Sequence, residues 1–303
     1  MSSTLGPGIL GQAEAQNLLT TSFRPSTSAA TGRFARLSAD ETGIRFRNEL
    51  KPEHIKNYLL LGAGVTVGDY DSDGLPDIFL CSQDGPNKLF RQTSTWKFED
   101  VTQPAGISHQ RGWSSGAAFA DVDNDGDLDL FVCNKGNHNE LYRNQGDGTF
   151  KGGFVQQSDA PQAAPTMAAF SDYDRDGDLD LYLTRTRLLS LQEMYGYKIG
   201  LIQDEAGNWK PHPQYGDEFE VITNIPRELG GTDQLFENIG LTDSGIPRFA
   251  DATQKAGIVQ APEHGLAAVW WDANNDDWPD LYISNDFHTP DHLYLNQQDG
   301  TFK

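Results

Sequence analysis

At 303 residues the chain is long enough for two small domains or for one large ring or barrel. Apolar residues make up 37%, and 31 glycines bring the total to an ordinary globular fraction, which excludes a disordered acidic chain. A formal net charge of −21 repels phosphate backbones and anionic lipid surfaces, and no apolar run is long enough to span a bilayer, so no nucleic acid and no membrane span are expected.

The first thirty residues hold no basic residue before Arg24 and no apolar run of signal-peptide length. Residues 1–33, rich in Ser, Thr, Ala, Gly and Pro without periodicity, read as a flexible leader that carries no chemistry. Residues 34–303 then read as repeats, near 59–110, 111–160, 161–260 and 261–303.

Four acidic loops define the repeat: Asp69-Tyr-Asp71-Ser-Asp73-Gly74-Leu75-Pro76-Asp77, Asp121-Val-Asp123-Asn-Asp125-Gly126-Asp127-Leu-Asp129, Asp172-Tyr-Asp174-Arg-Asp176-Gly177-Asp178-Leu-Asp180 and Asp272-Ala-Asn274-Asn-Asp276-Asp277-Trp278-Pro-Asp280. Their starts lie 52, 51 and 100 residues apart. Each is followed by a short aromatic segment, Lys88-Leu89-Phe90, Glu140-Leu141-Tyr142, Gln234-Leu235-Phe236 and His292-Leu293-Tyr294. In the third repeat that segment comes about 43 residues late, so an insertion over roughly 189–231 belongs there.

Apolar runs flank the loops. Gly116–Ala120, Met167–Phe170 and Leu266–Trp271 enter them, while Ile78–Leu80, Leu130–Val132, Leu181–Leu183 and Leu281–Ile283 leave them. Short aromatic and β-branched runs bounded by Gly and Asp are strand signals. An outer strand is expected at Phe98–Thr102 and Phe249–Thr253, with a further copy at Phe34–Ser38. Four short strands per fifty residues, with small residues on the crowded inner strand, predict an all-β fold, a β-propeller.

The loops carry the chemistry. Three carboxylates at alternate places, a glycine at the sixth and a fourth carboxylate at the ninth gather like charges that oppose folding unless a cation sits among them. Oxygen donors without Cys or His suit Ca²⁺, which accepts six to eight oxygens, better than Mg²⁺ or zinc. An EF-hand needs Glu at position twelve and flanking helices, whereas that position holds Leu80, Val132, Leu183 and Ile283. Thrombospondin-type calcium repeats recur at shorter spacing with cysteines and fit poorly. Four loops in one frame favour calcium over solvated Asp-Gly turns.

The D-x-D-x-D-G-x-x-D loop between two strands, with a Gly-Ala-rich strand before it, resembles the FG-GAP/VCBS repeat of integrin-α-like propellers. Asn139-Glu-Leu-Tyr-Arg-Asn144 and Asp147-Gly-Thr-Phe150 are similar to the cartilage-acidic-protein-like branch, whose repeats often precede an ASPIC/UnbV domain. The resemblance covers about 34–303 and implies that each loop joins the first two strands of a blade, with ligands at positions one, three, five and nine and the carbonyl of seven. It thereby selects Asp69, Asp71, Asp73, Leu75 and Asp77; Asp121, Asp123, Asp125, Asp127 and Asp129; Asp172, Asp174, Asp176, Asp178 and Asp180; and, in the fourth loop, Asp272, Asn274, Asp276, Trp278 and Asp280. About four Ca²⁺ sites are expected, the fourth weakest, because Asn274 removes a charge and Asp277 replaces the glycine of a left-handed turn.

Cys81 and Cys133 occupy equivalent places on neighbouring blades, too far apart for a disulfide, and read as buried free thiols. His288 and His292 beside Asp286 and Asp291 offer an enzyme site, against which a hydrogen-bonded loop is preferred. The insertion holds Tyr195, Tyr197, Trp209, His212 and Tyr215, fit to bind a ligand, to form a small core or to make a degenerate blade. Two architectures stay open: Phe34–Ser38 completing the fourth blade of a closed four-bladed ring, or, preferred, about four blades of an incomplete six- to seven-bladed ring. Two functions are carried. One is a calcium-binding, non-catalytic, extracellular or cell-envelope recognition or adhesion module for protein or glycan; the other is a calcium-dependent polysaccharide lyase or hydrolase on the same scaffold.

Overall fold

The computed structural model describes residues 35–51, 62–107, 113–135, 138–154, 163–188, 201–211, 219–222, 225–228, 230–243, 245–286 and 289–303. The chain divides into two units, Met1–Leu37 and Ser38–Lys303, and all described strands lie in the second. A single helical turn, α1 (Ala39–Thr42), precedes them.

Each acidic loop joins the first two strands of an antiparallel sheet. The first blade runs β1 (Val65–Gly68), β2 (Asp77–Leu80), β3 (Lys88–Ser94) and β4 (Lys97–Asp100), and the second β5 (Trp113–Ala120), β6 (Asp129–Lys135), β7 (Glu140–Asn144) and β8 (Phe150–Phe154), each sheet in chain order. After β9 (Ala163–Ser171) and β10 (Asp180–Leu188), the insertion contributes two hairpins, β11 (Leu201–Gln203) with β12 (Trp209–Pro211) and β13 (Phe219–Ile222) with β14 (Ile225–Glu228). The third blade then resumes with β15 (Gln234–Leu241) and β16 (Pro247–Asp251), in the order β16-β15-β10-β9. The fourth consists of β17 (Gly265–Trp271), β18 (Asp280–Asn285) and β19 (His292–Tyr294), with an Asn296–Phe302 bridge beyond β19. The all-β, bladed reading is thus what the chain forms.

Register repeats with the sequence. Position ten of the loop pairs with an aromatic or valine on the inner strand and an aromatic on the third: Ile78 with Val67 and Phe90, Leu130 with Phe119 and Tyr142, Leu181 with Phe170 and Phe236, Leu281 with Trp270 and Tyr294. Alternation along a pleated strand sends these side chains to the blade faces, so the apolar cores lie between blades. Tyr70, Phe79 and Leu89 of the first blade pack with Leu130, Val132 and Phe150 of the second. Phe131 and Leu141 pack with Leu181, Leu183 and Phe236, and Tyr173, Tyr182 and Leu235 pack with Leu281, Ile283 and Phe302. Cys81 and Cys133 are buried and free, one in each of two successive clusters, as read from the sequence.

The inner strands neighbour one another in the order β1, β5, β9, β17. Their small residues answer a steric demand: a Cβ on Gly64 would lie 2.6 Å from the Gly116 Cα, and one on Gly116 would lie 2.5 Å from the Thr166 carbonyl oxygen. Among the described residues no packing of comparable extent joins β17 back to β1. Val65 and Val67 on β1 are each 58% exposed and Val269 on β17 is 51% exposed, so both terminal blades keep an open face.

One element differs from expectation. Residues 35–38 form no outer strand. Ser38 instead caps α1 in a reciprocal box: its hydroxyl accepts the Glu41 N–H at 3.2 Å and the Glu41 carboxylate accepts the Ser38 N–H at 2.8 Å. The S-x-x-E spacing favours a helix start over extension. Gly43 then stands against the Phe98 carbonyl of β4, as Gly106 stands against that of Phe150. The segment therefore takes the place of an outer-strand turn, where Phe150 and Phe302 donate their N–H groups to Ala105 and Ala256 at 2.8 and 2.9 Å.

Candidate metal centres

Each loop is built by its own carboxylates. At position one, Asp69 accepts the N–H groups of Asp73 and Gly74 at 3.0 and 2.8 Å, and Asp121 accepts those of Asp125 and Gly126 at 3.1 and 3.0 Å. At position five, Asp73, Asp125 and Asp176 accept the N–H of position seven at 2.9–3.1 Å. Position six is left-handed throughout, with φ of 86° at Gly74, 95° at Gly126, 101° at Gly177 and 69° at Asp277. Position four is left-handed as well, at Ser72, Asn124, Arg175 and Asn275, a constraint that no glycine advertised.

Position nine fastens the loop to the sheet. Asp77, Asp129, Asp180 and Asp280 are fully or almost fully buried. One oxygen of each accepts the N–H of position two (Tyr70, Val122, Tyr173, Ala273) at 2.9–3.1 Å. The other accepts an N–H from the third strand, or just beyond it (Gln92, Asn144, Asn238, Asn296), at 2.7–2.9 Å.

In three loops carboxylates converge. Asp69, Asp71 and Asp77, then Asp121, Asp123 and Asp129, then Asp172, Asp174 and Asp180 each bring one oxygen per residue within 4.8 Å of the others. The gathering is costly. Burial first, and then the neighbouring acid at position five, push the Asp71, Asp123 and Asp174 carboxyls up. Burial pushes Asp77 to about 6 and Asp129 and Asp180 to about 7. In each loop one buried oxygen, Asp71 Oδ1, Asp123 Oδ1 or Asp172 Oδ1, has no hydrogen-bond partner. Orphaned, converging, oxygen-only donors are what a hard divalent cation requires, so these residues fit one. Arg91 lies 3.9 Å from Asp71 and Arg143 lies 3.8 Å from Asp123, giving partial cover to the first two loops. The third has Glu237 at that strand position, paired with Lys255 at 2.8 Å.

Among the described residues the fourth loop gathers no such group. Hydrogen bonds, that from the Trp278 N–H foremost, hold the Asp276 carboxyl below its usual range. The side chains of Asp73, Asp125 and Asp176 at position five, and of Asp127 and Asp178 at position seven, stand outside the converging groups; the Asp178 carboxylate accepts from Asn124 of the preceding loop at 2.6 Å.

Sequence reasoning overlooked an asparagine clamp between blades. Asn144 Nδ2 donates to the Tyr70 carbonyl in the loop of the blade before it at 2.7 Å, and to Leu128 in its own loop at 3.0 Å. Asn238 does the same with Val122 and Leu179, and Asn296 with Tyr173 and Pro279. The signal was present as the last residue of the Asn-x-Leu-Tyr-x-Asn motif. Its first residue caps the second strand: Asn87, Asn139, Asp233 and Asp291 accept the N–H groups of Ser82, Asn134, Arg185 and Asn285 at 2.6–3.0 Å.

The histidine cluster has an ordinary explanation. His292 Nε2 meets the Glu263 carboxylate at 2.8 Å, and Asp291 accepts from the Tyr282 hydroxyl at 2.5 Å. His288 lies outside the described residues, as do Tyr195, Tyr197, His212 and Tyr215 of the insertion.

Radial four-stranded sheets with acidic first hairpins define a class, and residues 69–132 and 121–183 match the model of the FG-GAP-like repeat. Residues 69–183 thus carry FG-GAP-like repeats. The chain is similar to cartilage acidic protein 1 of Xenopus tropicalis, 27% identical over 79% of this chain and 37% of that protein. It is also similar to cartilage acidic protein 1 of Mus musculus, 30% identical over 69% of this chain and 32% of that one. The chain thus spans about a third of the length of these relatives. Among solved structures, an Agrocybe aegerita lectin that recognises non-reducing terminal N-acetylglucosamine aligns with 14% identity and a TM-score of 0.35, over 80% of this chain and 65% of that one. No helix among the described residues is long and apolar enough to cross a membrane.

Proposed function

We propose that this chain is a calcium-binding, non-catalytic recognition or adhesion module that works outside the cytosol, at the cell envelope or in the extracellular space, and binds a protein or glycan. The observation behind the calcium reading is the set of three converging carboxylate groups, each with one buried oxygen lacking a partner. Asp69, Asp71, Asp73 and Asp77, and their counterparts in the second and third loops, are the proposed side-chain ligands, with the carbonyls of Leu75, Asp127 and Asp178 completing each shell. Calcium supplies positive charge there and fixes the hairpin at the head of each blade. Weak calcium sites, of the kind found in extracellular modules, fill only where calcium is abundant, which supports a place outside the cytosol. The similarity to cartilage acidic protein 1 supports a recognition role rather than turnover.

The test is a screen of immobilised glycans and matrix proteins in calcium and in EGTA. Calcium-dependent retention without change to the ligand is expected. Release of unsaturated or reducing sugar ends from a polysaccharide would replace this reading with a lyase or hydrolase.

A further inference from the structure

The donor set of the fourth loop does not fit an ion, and the reason is specific. Every side-chain oxygen at positions one, three, five and nine already has a donor. Asp272 accepts the N–H groups of Asp276 and Asp277 at 3.0 and 2.9 Å, and Asn274 Oδ1 accepts that of Asp276 at 2.9 Å. Asp276 Oδ1 accepts the Trp278 N–H at 2.9 Å, while its Oδ2 receives Asn274 Nδ2 at 3.0 Å and Gln298 Nε2 at 3.1 Å. Both oxygens of Asp280 are taken by Ala273 and Asn296. The orphaned oxygens of loops one to three have no counterpart here among the described residues.

Three replacements act together. Asn274 stands where the other loops carry Asp71, Asp123 and Asp174, and so exchanges a charge for an amide donor. Gln298 stands at the place of Gly146 in the second blade, again left-handed with φ of 64°, and sends its amide across to Asp276. Arg175, from position four of the third loop, donates to the Asp277 carbonyl and lies over the Trp278 ring at 4.8 Å. A positive charge is thereby delivered to this loop by the neighbouring blade.

We propose that the fourth loop is closed without a metal ion, with Asn274, Gln298 and Arg175 together taking the part that calcium plays in the first three loops. The inference rests on the calcium reading of those three, and it predicts three ions per chain where the repeat pattern alone predicts four.

Equilibrium dialysis of the full chain against calcium is expected to give three ions, three again for D272N and two for D121N. Four ions, or a loss of one on D272N, would overturn the proposal. The combined change N274D, D277G and Q298G should restore a fourth site. A second measurement stands apart from stoichiometry: R175A combined with Q298A should lower the melting temperature by about 2–4 °C equally in calcium and in EGTA. A deficit that vanishes at saturating calcium would mean that the loop takes an ion. A chain that binds no calcium would contradict the reading of loops one to three, and the melting comparison would still decide the fourth.

Discussion

In the first three loops the ninth-position aspartates join two tasks that conflict without a cation: each is buried to tie loop to sheet, and each belongs to a crowd of acids. With Asp77 at about 6 and Asp129 and Asp180 at about 7, these carboxyls sit well above the roughly 3.9 of an unfolded aspartate. The native state therefore holds their protons more tightly. The stability so gained is fully present below the unfolded value and is lost as pH rises through the folded values. Buried Asp233, also at about 7, adds to the same trend. In EGTA the protein should melt at a higher temperature at about pH 5.5 than at about pH 8. Calcium needs the ionised carboxylates, so its increment should be larger at about pH 8. Melting curves at both pH values, each with and without calcium, check the pair; a chelated protein that melts lower in acid would contradict it. Position nine was legible in the sequence as a ligand, but its double hydrogen bond, to position two and to a residue 15, 15, 58 or 16 places further on, was not, because the partner there is a backbone N–H that no side chain announces.

Blades are held to each other by interdigitated faces and by the asparagine clamp, and the two are separable. Leu181 is fully buried between the second and third blades, and truncating it to alanine should cost about 2–5 kcal/mol. N238A leaves the Val122 and Leu179 carbonyls without a donor and should cost about 1–3 kcal/mol. Urea unfolding measures both; an N238A loss within error of zero would show that the clamp only accompanies packing. The strands, their pairing and the insertion could be read from the chain because Asp-Gly punctuation and apolar runs are local signals. Residues 35–38 depart from the strand expected over Phe34–Ser38 for a physical reason: Phe-Ala-Arg-Leu-Ser is apolar enough for a strand, yet Ser38 and Glu41 hold a capping box that only three-residue spacing reveals. The fourth loop kept the family spacing while exchanging its donors, and Gln298, which completes that exchange, lies 22 residues from Asp276, beyond any motif.

The apolar cores lie between successive blades, so stability is shared among neighbours much as in other repeat proteins. A formal charge of −21 works against the folded state, and three bound dications would relieve it by six units. If each site fills at tenfold above its dissociation constant, mass action supplies about 1.4 kcal/mol per ion, or about 4 kcal/mol for three independent sites. That is a large part of the margin by which an ordinary domain is stable. Magnesium, bound to a stricter octahedral geometry, should reproduce little of it. The most direct trial is thermal unfolding at about pH 7.5 in EGTA, in millimolar magnesium and in millimolar calcium. Calcium should raise the midpoint by several degrees over EGTA, with magnesium close to the chelated value. A midpoint indifferent to calcium would mean that the buried acids of the three loops are tolerated by the fold alone.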